Sequence, residues 1–326
     1  MTSAASLTTQ FYDLGPVRRL ERWLTAMPHP SLVVDIASTH VAAARWGKIG
    51  SSLDSFAVEP LPLGSVMPSP VEMNVAQPDA VKTALRRTFE RVPAREHGIV
   101  LLIPDLVVRV FILPFDSLPR SANEAMPLLR WRLKKSVPFD VDETAVSWMR
   151  QASNTGNLEV VTAVARQKII REYEEIVESL DAKVGVVLSS TLATLPLLEE
   201  TGATLLVRMS GKTMTTVIVR QGSLCVYRST DMPSEAAALN PQAMLDEIFP
   251  AVAYYQDTWG GSVDWVRLTG FGQREETFRR ALAEELKCSV GSLAESEGAS
   301  RLDSGAKDLL HQNLEGLVGW RMNGGS

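Results

Sequence analysis

Cysteine is nearly absent: Cys225 and Cys288 are the only two, too far apart in sequence to suggest a disulfide framework. No Cys-x-x-Cys pair occurs, and His29, His40, His97 and His311 show no ligand spacing, so no metal site is expected and a reducing, cytoplasmic setting is. Basic residues are in deficit, 33 against 38 acids with a formal net charge of -5, which leaves no broad positive field for nucleic acid. Long apolar runs are missing too. Gly98 to Phe115 is broken by Pro104, Asp105 and Arg109 before it reaches the ~20 residues of a membrane-spanning helix, and the first residues lack a signal peptide's apolar core. With no Gly-x-Ser-x-Gly elbow, nucleophilic hydrolysis has no support.

What is there is the usual mixture of a folded α/β protein, 45% hydrophobic and 22% charged, in a length that suits two domains around a cleft. In residues 1-29, Val17, Leu20, Leu24 and Met27 fall at helical spacing beside Arg18, Arg19 and Arg22. That stripe suits a helix packed on its own domain or, alternatively, an amphipathic helix for a membrane surface or partner groove. Three strands follow: Leu32 to Ile36, then a Ser38-Thr39 turn and Val41 to Trp46, then Phe56 to Glu59. Val81, Leu85, Phe89 and Val92 space a helix over Pro78 to Val92, and Ile99 to Ile103 reads as a buried strand, so a crossover and a parallel sheet are expected.

Val107 to Leu113 reads as a further strand. Ser121 with Glu124 predicts a capping box for a helix carrying Leu128, Leu129, Trp131 and Leu133, with Pro127 suited only to its first turn. Thr144 to Arg150 and Leu158 to Ala165 form a hairpin, Ile169 to Leu180 a helix and Val184 to Leu188 a short strand. Leu205 to Gly211, Met214 to Arg220 and Ser223 to Ser229 then repeat the three-strand opening.

Two domains that each open with strand, turn and strand aimed into one cleft are the plan of the actin and hexokinase superfamily, whose turns face phosphate. The chain resembles the PilM family of type IV pilus assembly over roughly residues 30 to 320. The resemblance is carried by Val34-Asp35-Ile36-Ala37-Ser38-Thr39-His40-Val41, Phe111-Ile112-Leu113-Pro114, Leu129-Arg130-Trp131 through Val137-Pro138-Phe139, and Val160 to Arg166. Leu245-Asp246-Glu247-Ile248 to Tyr254-Tyr255 and Arg267-Leu268-Thr269-Gly270-Phe271-Gly272 complete it. The family is related to FtsA and to the cytoplasmic part of GspL.

This resemblance implies an α/β, actin-like (ribonuclease H-like) two-domain fold with an FtsA-type subdomain inserted in the first domain. Residues 1-29 would be an extension, 30-104 the first domain, 105-184 the insertion and 185-203 the return. Residues 204-270 would form a reduced second domain and 271-326 the C-terminal helices that close the fold. It also implies a PilN-like bitopic inner-membrane protein as partner, its cytoplasmic tail held in a groove beside the insertion, so that the protein sits in the cytoplasm, attached peripherally to the inner membrane. Other pilus assembly components and self-association stay open.

Nucleotide handling in such a fold needs an acid in each opening hairpin and glycines for the approach of phosphate. Here Asp35 stands in the first hairpin, while Arg208, which cannot ligate magnesium, takes the place of the second acid. Ala37 replaces a turn glycine, Ser229 to Met244 is too short for the family's adenosine-holding helices, and Phe271 separates Gly270 from Gly272 where adenine would lie. The vestigial nucleotide residues are therefore Asp35, Ser38, Thr39, Arg208, Gly211, Gly270 and Gly272, with an ion pair expected between Asp35 and Arg208. Ser210-Gly211-Lys212-Thr213 mimics the end of a P-loop, yet it joins two strands where a P-loop opens a helix.

The expected function is that of a non-catalytic adaptor without cofactor. The alternative is an ATP-binding ATPase of the same machinery that uses ATP and magnesium in a rearranged site. A sugar or acetate kinase is disfavoured because no substrate base stands out. Trp131, Val137, Phe139 and Trp148 on the insertion read as core packing or, alternatively, as a partner-binding patch.

Overall fold

The computed structural model describes residues 30–47, 52–94, 98–152, 158–199, 201–234 and 240–322. The expected helix within residues 1-29 lies outside them. The first lobe opens with β1 (Leu32–Ile36), β2 (His40–Trp46) and β3 (Leu53–Pro60), then α1 (Pro78–Arg91) and β4 (Ile99–Ile103). β1 and β4 are wholly aliphatic apart from Asp35 and are buried along their full length, as central parallel strands must be. Pro78 starts α1, where its missing N–H is no loss, and the helix buries Val81, Ala84 and Leu85 against the sheet.

The inserted unit comprises β5 (Arg109–Phe115), α2 (Ala122–Leu133), β6 (Thr144–Ala152) and β7 (Leu158–Arg166), with the strands in the order β5-β7-β6. β5 begins later than the expected Val107 because Asp105–Val107 form a 3-10 turn. Ser121 does precede α2, but its hydroxyl makes no capping bond, and Pro127 lies inside the helix. What ties the end of α2 down is Arg130, whose guanidinium donates to the carbonyls of Val141 and Thr144.

The next helix, α3 (Gln167–Glu178), was expected to complete the inserted unit. It buries Ile169, Tyr173, Ile176 and Val177 in the first lobe's core instead. The physical reason is coverage: α2 already closes the small core of Leu113, Leu129, Leu133, Val160 and Val164, so the broad apolar face of α3 needs the larger sheet.

After β8 (Val184–Ser189) and α4 (Ser190–Thr194) the second lobe follows as β9 (Ala203–Ser210), β10 (Thr213–Arg220), β11 (Ser223–Asp231), α5 (Pro241–Trp259), β12 (Trp265–Thr269), α6 (Glu275–Leu286) and β13 (Ser289–Ser292). The segment expected to be helical throughout thus contains β13, a Ser-Val-Gly-Ser strand too short and polar to show a pattern. The sheets run β3-β2-β1-β4-β8 and β11-β10-β9-β12-β13, so the repeat seen in three strands extends to all five.

The chain ends with α7 (Glu297–Ser300), α8 (Ser304–His311) and α9 (Glu315–Met322). α9 returns to the first lobe, where Leu317, Val318 and Trp320 enter one continuous core. That core also contains Val33, Leu102 and Leu188 of the first lobe and Leu206, Val217 and Leu224 of the second. Trp46 Nε1 donates to the Leu317 carbonyl at 3.2 Å. Close approach of α9 to α4 depends on Gly319, because a β-carbon there would collide with the Ala193 carbonyl. Gly319→Ala should therefore destabilise the fold by about 1–3 kcal/mol, although alanine is the better helix former. Urea unfolding should show a lower midpoint with an unchanged slope.

Candidate functional site

Parallel strands of the first lobe deliver their C-terminal ends to one edge. Asp35 comes there from β1, Asp105 from the turn after β4, and Ser190 and Thr191 from the start of α4. In the second lobe, register places Thr269, Arg208, Thr215 and Ser229 in one row across β12, β9, β10 and β11. Tyr227 is two residues back from Ser229, hence on the same face.

The two edges meet at Asp105. Its carboxylate accepts from Thr191 N at 2.9 Å and Thr191 Oγ1 at 2.6 Å within its own lobe. From the other lobe it accepts from Arg208 Nη1 at 3.0 Å, Thr215 Oγ1 at 3.0 Å and Tyr227 Oη at 3.2 Å. Arg208 turns its Nε to Glu315 at the start of α9. Asp105, Arg208 and Glu315 are 2%, 4% and 1% exposed, so these charges have been withdrawn from water and depend on one another. Burial works against the Arg208 charge, but Glu315 and Asp105 outweigh it and hold the guanidinium protonated.

The expected Asp35–Arg208 pair is not formed; Arg208 takes Asp105 and Glu315 as its partners. Asp35 accepts from Ser190 Oγ at 3.0 Å, and burial raises its carboxyl pKa, with His40 and Arg208 offsetting part of the effect. Asp105 and Glu315 were not singled out from the sequence. The signal for Asp105 is an acid two residues after a wholly apolar strand, which reads from sequence only as an interruption.

The opening turns of the two lobes touch. Gly211 (φ +58°) sits between β9 and β10, and a β-carbon there would come within 2.8 Å of Ser38 Oγ and 4.0 Å of Thr39 Cγ2. Lys212 lies on the outer side of this hairpin turn, 3.8 Å from Asp231. Gly270 (φ +86°) passes against the Met209 carbonyl, too close for any side chain, while its N–H donates to Asn313 Oδ1 at 3.0 Å. Gly272 faces open space. Phe271 does not stand in the cleft: its ring is buried in the second lobe's core, 4.7 Å from that of Phe278. Among the described residues no group of three or more His, Cys, Asp or Glu is placed to hold a metal.

On the inserted unit the expected aromatic group divides. Val137, Phe139 and Trp148 pack, partly buried, on the small core. Trp131, 68% exposed, instead joins Phe115 and Leu128 along a groove completed by Pro114, Asp116, Ser117 and Arg132. Arg132 stacks over the Phe115 ring at 5.9 Å.

Two lobes of matching topology, joined through a shared core and carrying a three-stranded insertion in the first, define an actin-like protein. Within that class, the family model for type IV pilus assembly protein PilM matches residues 33–231, and the chain belongs to this family. No curated protein sequence matches it. Among solved structures, one titled "PilM-PilN type IV pilus biogenesis complex" is similar at 17% identity with a TM-score of 0.70, covering 92% of this chain and 100% of that one. The cytoplasmic domain of EpsL, an inner-membrane component of the type II secretion system of Vibrio cholerae, is 13% identical over 73% of this chain and 80% of its own, TM-score 0.45. MreB5 of Spiroplasma citri bound to AMPPNP is 8% identical over 90% and 95%, TM-score 0.41.

The two buried aspartates should respond oppositely to neutralisation. Asp105→Ala leaves Arg208 short of a partner and should cost about 3–5 kcal/mol, read as a lower unfolding midpoint. For Asp35 the folded state binds the proton more tightly, so its contribution to stability is present at low pH and is lost as pH rises through the raised folded-state value. Asp35→Asn should therefore be as stable as the parent or more so at pH 7, with the difference shrinking towards pH 4. Thermal melts across that range measure it.

Proposed function

We propose that this protein is a non-catalytic, actin-like adaptor of a type IV pilus or related secretion machine. It grips the cytoplasmic tail of a PilN-like bitopic inner-membrane protein and is held at the cytoplasmic face of the inner membrane by that partner. The observation that carries the reading is the contact of Gly211 with Ser38: the turns that would flank a phosphate chain lie against each other. Behind them, a guanidinium bound to two acids stands where the second hairpin would need a metal-organising carboxylate. Among the described residues no helix is long and apolar enough to cross a membrane. The family and the PilM-PilN structure support the choice of partner.

The tail is assigned to the groove of Phe115, Leu128 and Trp131, where an aromatic side chain stands exposed beside apolar neighbours, a form that suits an interaction hot spot. The competing reading, an ATPase with a rearranged site, draws on the survival of Asp35 and Gly211, and one calorimetric titration separates the two. ATP with magnesium should give no saturable heat at micromolar to millimolar concentrations; micromolar affinity would overturn the adaptor reading. The synthetic N-terminal segment of a PilN-like protein from the same genome should bind, and Trp131→Ala should weaken it at least about tenfold, within the range of a hot-spot truncation.

A further inference from the structure

The inserted unit has two layers. One face of its sheet, with Ile112, Met149 and Val161, packs on the core shared by the lobes, and α2 covers the other through Ala125, Leu129 and Leu133. What α2 turns away from that small core therefore lies at the periphery of the molecule. It turns away Leu128 and Trp131, 43% and 68% exposed and three residues apart, hence neighbours on one helix face. At the C-terminal end of the same helix stand Arg132, Lys134 and Lys135, all exposed, while Arg130 is tied to the carbonyls of Val141 and Thr144. Among the described residues no acid pairs with Arg132, Lys134 or Lys135; the Arg132 guanidinium lies over the Phe115 ring. The acids of residues 116–140 are Asp116 in the groove, Glu124 in the first turn of α2, and Asp140, whose carboxylate caps the next turn. On a chain of net charge -5, the end of α2 is thus a local excess of positive charge beside exposed apolar surface.

We infer that this end of α2 rests on an anionic phospholipid surface, with Leu128 and Trp131 at the depth of the headgroups and Arg132, Lys134 and Lys135 against lipid phosphates. Tryptophan favours the membrane–water boundary because it presents an apolar ring with a polar N–H, and cations beside it add attraction to a negative leaflet. Long lysine side chains without fixed partners suit a bilayer, whose continuous field needs no register, better than a folded protein, which would have to supply matched acids. Lipid contact goes beyond the tail reading and is compatible with it. A tail that emerges from the bilayer brings the groove of Phe115, Leu128 and Trp131 to the headgroups, and Lys134 and Lys135 stand outside that groove.

Cosedimentation of the full chain with vesicles at low ionic strength, in the absence of any tail, tests this. Vesicles of equal parts phosphatidylglycerol and phosphatidylcholine should bind it at least about tenfold more tightly than pure phosphatidylcholine, and added salt should remove the difference. Each cation at such a surface is worth about fivefold in binding constant, so the double variant Lys134→Gln/Lys135→Gln should lose tenfold or more. That variant should keep the parent's circular dichroism and its affinity for the synthetic tail segment, because both lysines are exposed and outside the groove. Trp131→Ala should also weaken vesicle binding, since an interfacial contact uses the ring as well as the charge. Absence of binding to the phosphatidylglycerol vesicles, or equal binding by the parent and the lysine variant, overturns the inference. Tail binding retained in either of those cases leaves the adaptor reading standing and makes the face a surface for protein alone. Lysine-dependent vesicle binding without tail binding removes the tail from the groove and keeps the lipid contact.

Discussion

One buried guanidinium joins three parts of the chain. Arg208 comes from the second lobe, Asp105 from the first, and Glu315 from the helix that returns between them. None of the three charges is stable in this environment without the others, because each lies out of reach of water and each is answered only by its neighbours. Moving the lobes apart would strand a charge, and it would also remove Thr215 and Tyr227 from Asp105. The same motion would open the apolar core that Leu206, Val217 and Leu317 share with Val33 and Leu102. Charge and apolar burial therefore oppose the same displacement, and the two lobes behave as one body.

How much of this can be read from the sequence depends on how local each determinant is. β1, β4 and the paired opening hairpins are legible because a strand buried on both faces must be aliphatic throughout, and turns such as Ser38-Thr39 must interrupt it. The lock formed by Asp105, Arg208 and Glu315 is not legible in the same way. Arg208 could be singled out as a cation inside a buried strand, but its partners are fixed by the meeting of two lobes and a distant helix. The nearer candidate, Asp35, proved to be served by Ser190. Glu315 sits in an Asn-Leu-Glu-Gly stretch that reads as an ordinary polar turn. Phe271 shows a further limit: the spacing of Gly270 and Gly272 was visible, whereas the direction of the ring between them was set by the core around Phe278.

The inserted unit follows the same division. Its strands were legible from their β-branched runs, while α3, adjacent in sequence, went to the larger sheet because the small one was already covered. Its attachment to the second lobe combines apolar packing of Met149 and Val161 beside Leu224 with one polar side chain that no pattern announces. Gln151 Nε2 donates to the Leu224 carbonyl at 2.6 Å and its Oε1 accepts from Leu224 N at 3.0 Å, so a side-chain amide occupies both backbone groups of that residue in β11. Gln151 is buried, and losing it would leave those groups unsatisfied.

This amide connects the lock to the proposed docking groove. Trp131 and Leu128 stand on α2, α2 is fixed to the three-stranded sheet by Leu129 and Leu133, and that sheet is pinned to β11, the strand that also carries Tyr227 to Asp105. An exposed tryptophan on a mobile unit would give up part of its contact energy as ordering cost when a peptide arrives. On a mount continuous with a locked two-lobed core, that cost falls on the peptide alone. In the adaptor reading, closure of the cleft serves the groove: the sheet whose β9–β10 turn crowds Ser38 is the same sheet whose β11 holds the inserted unit through Leu224.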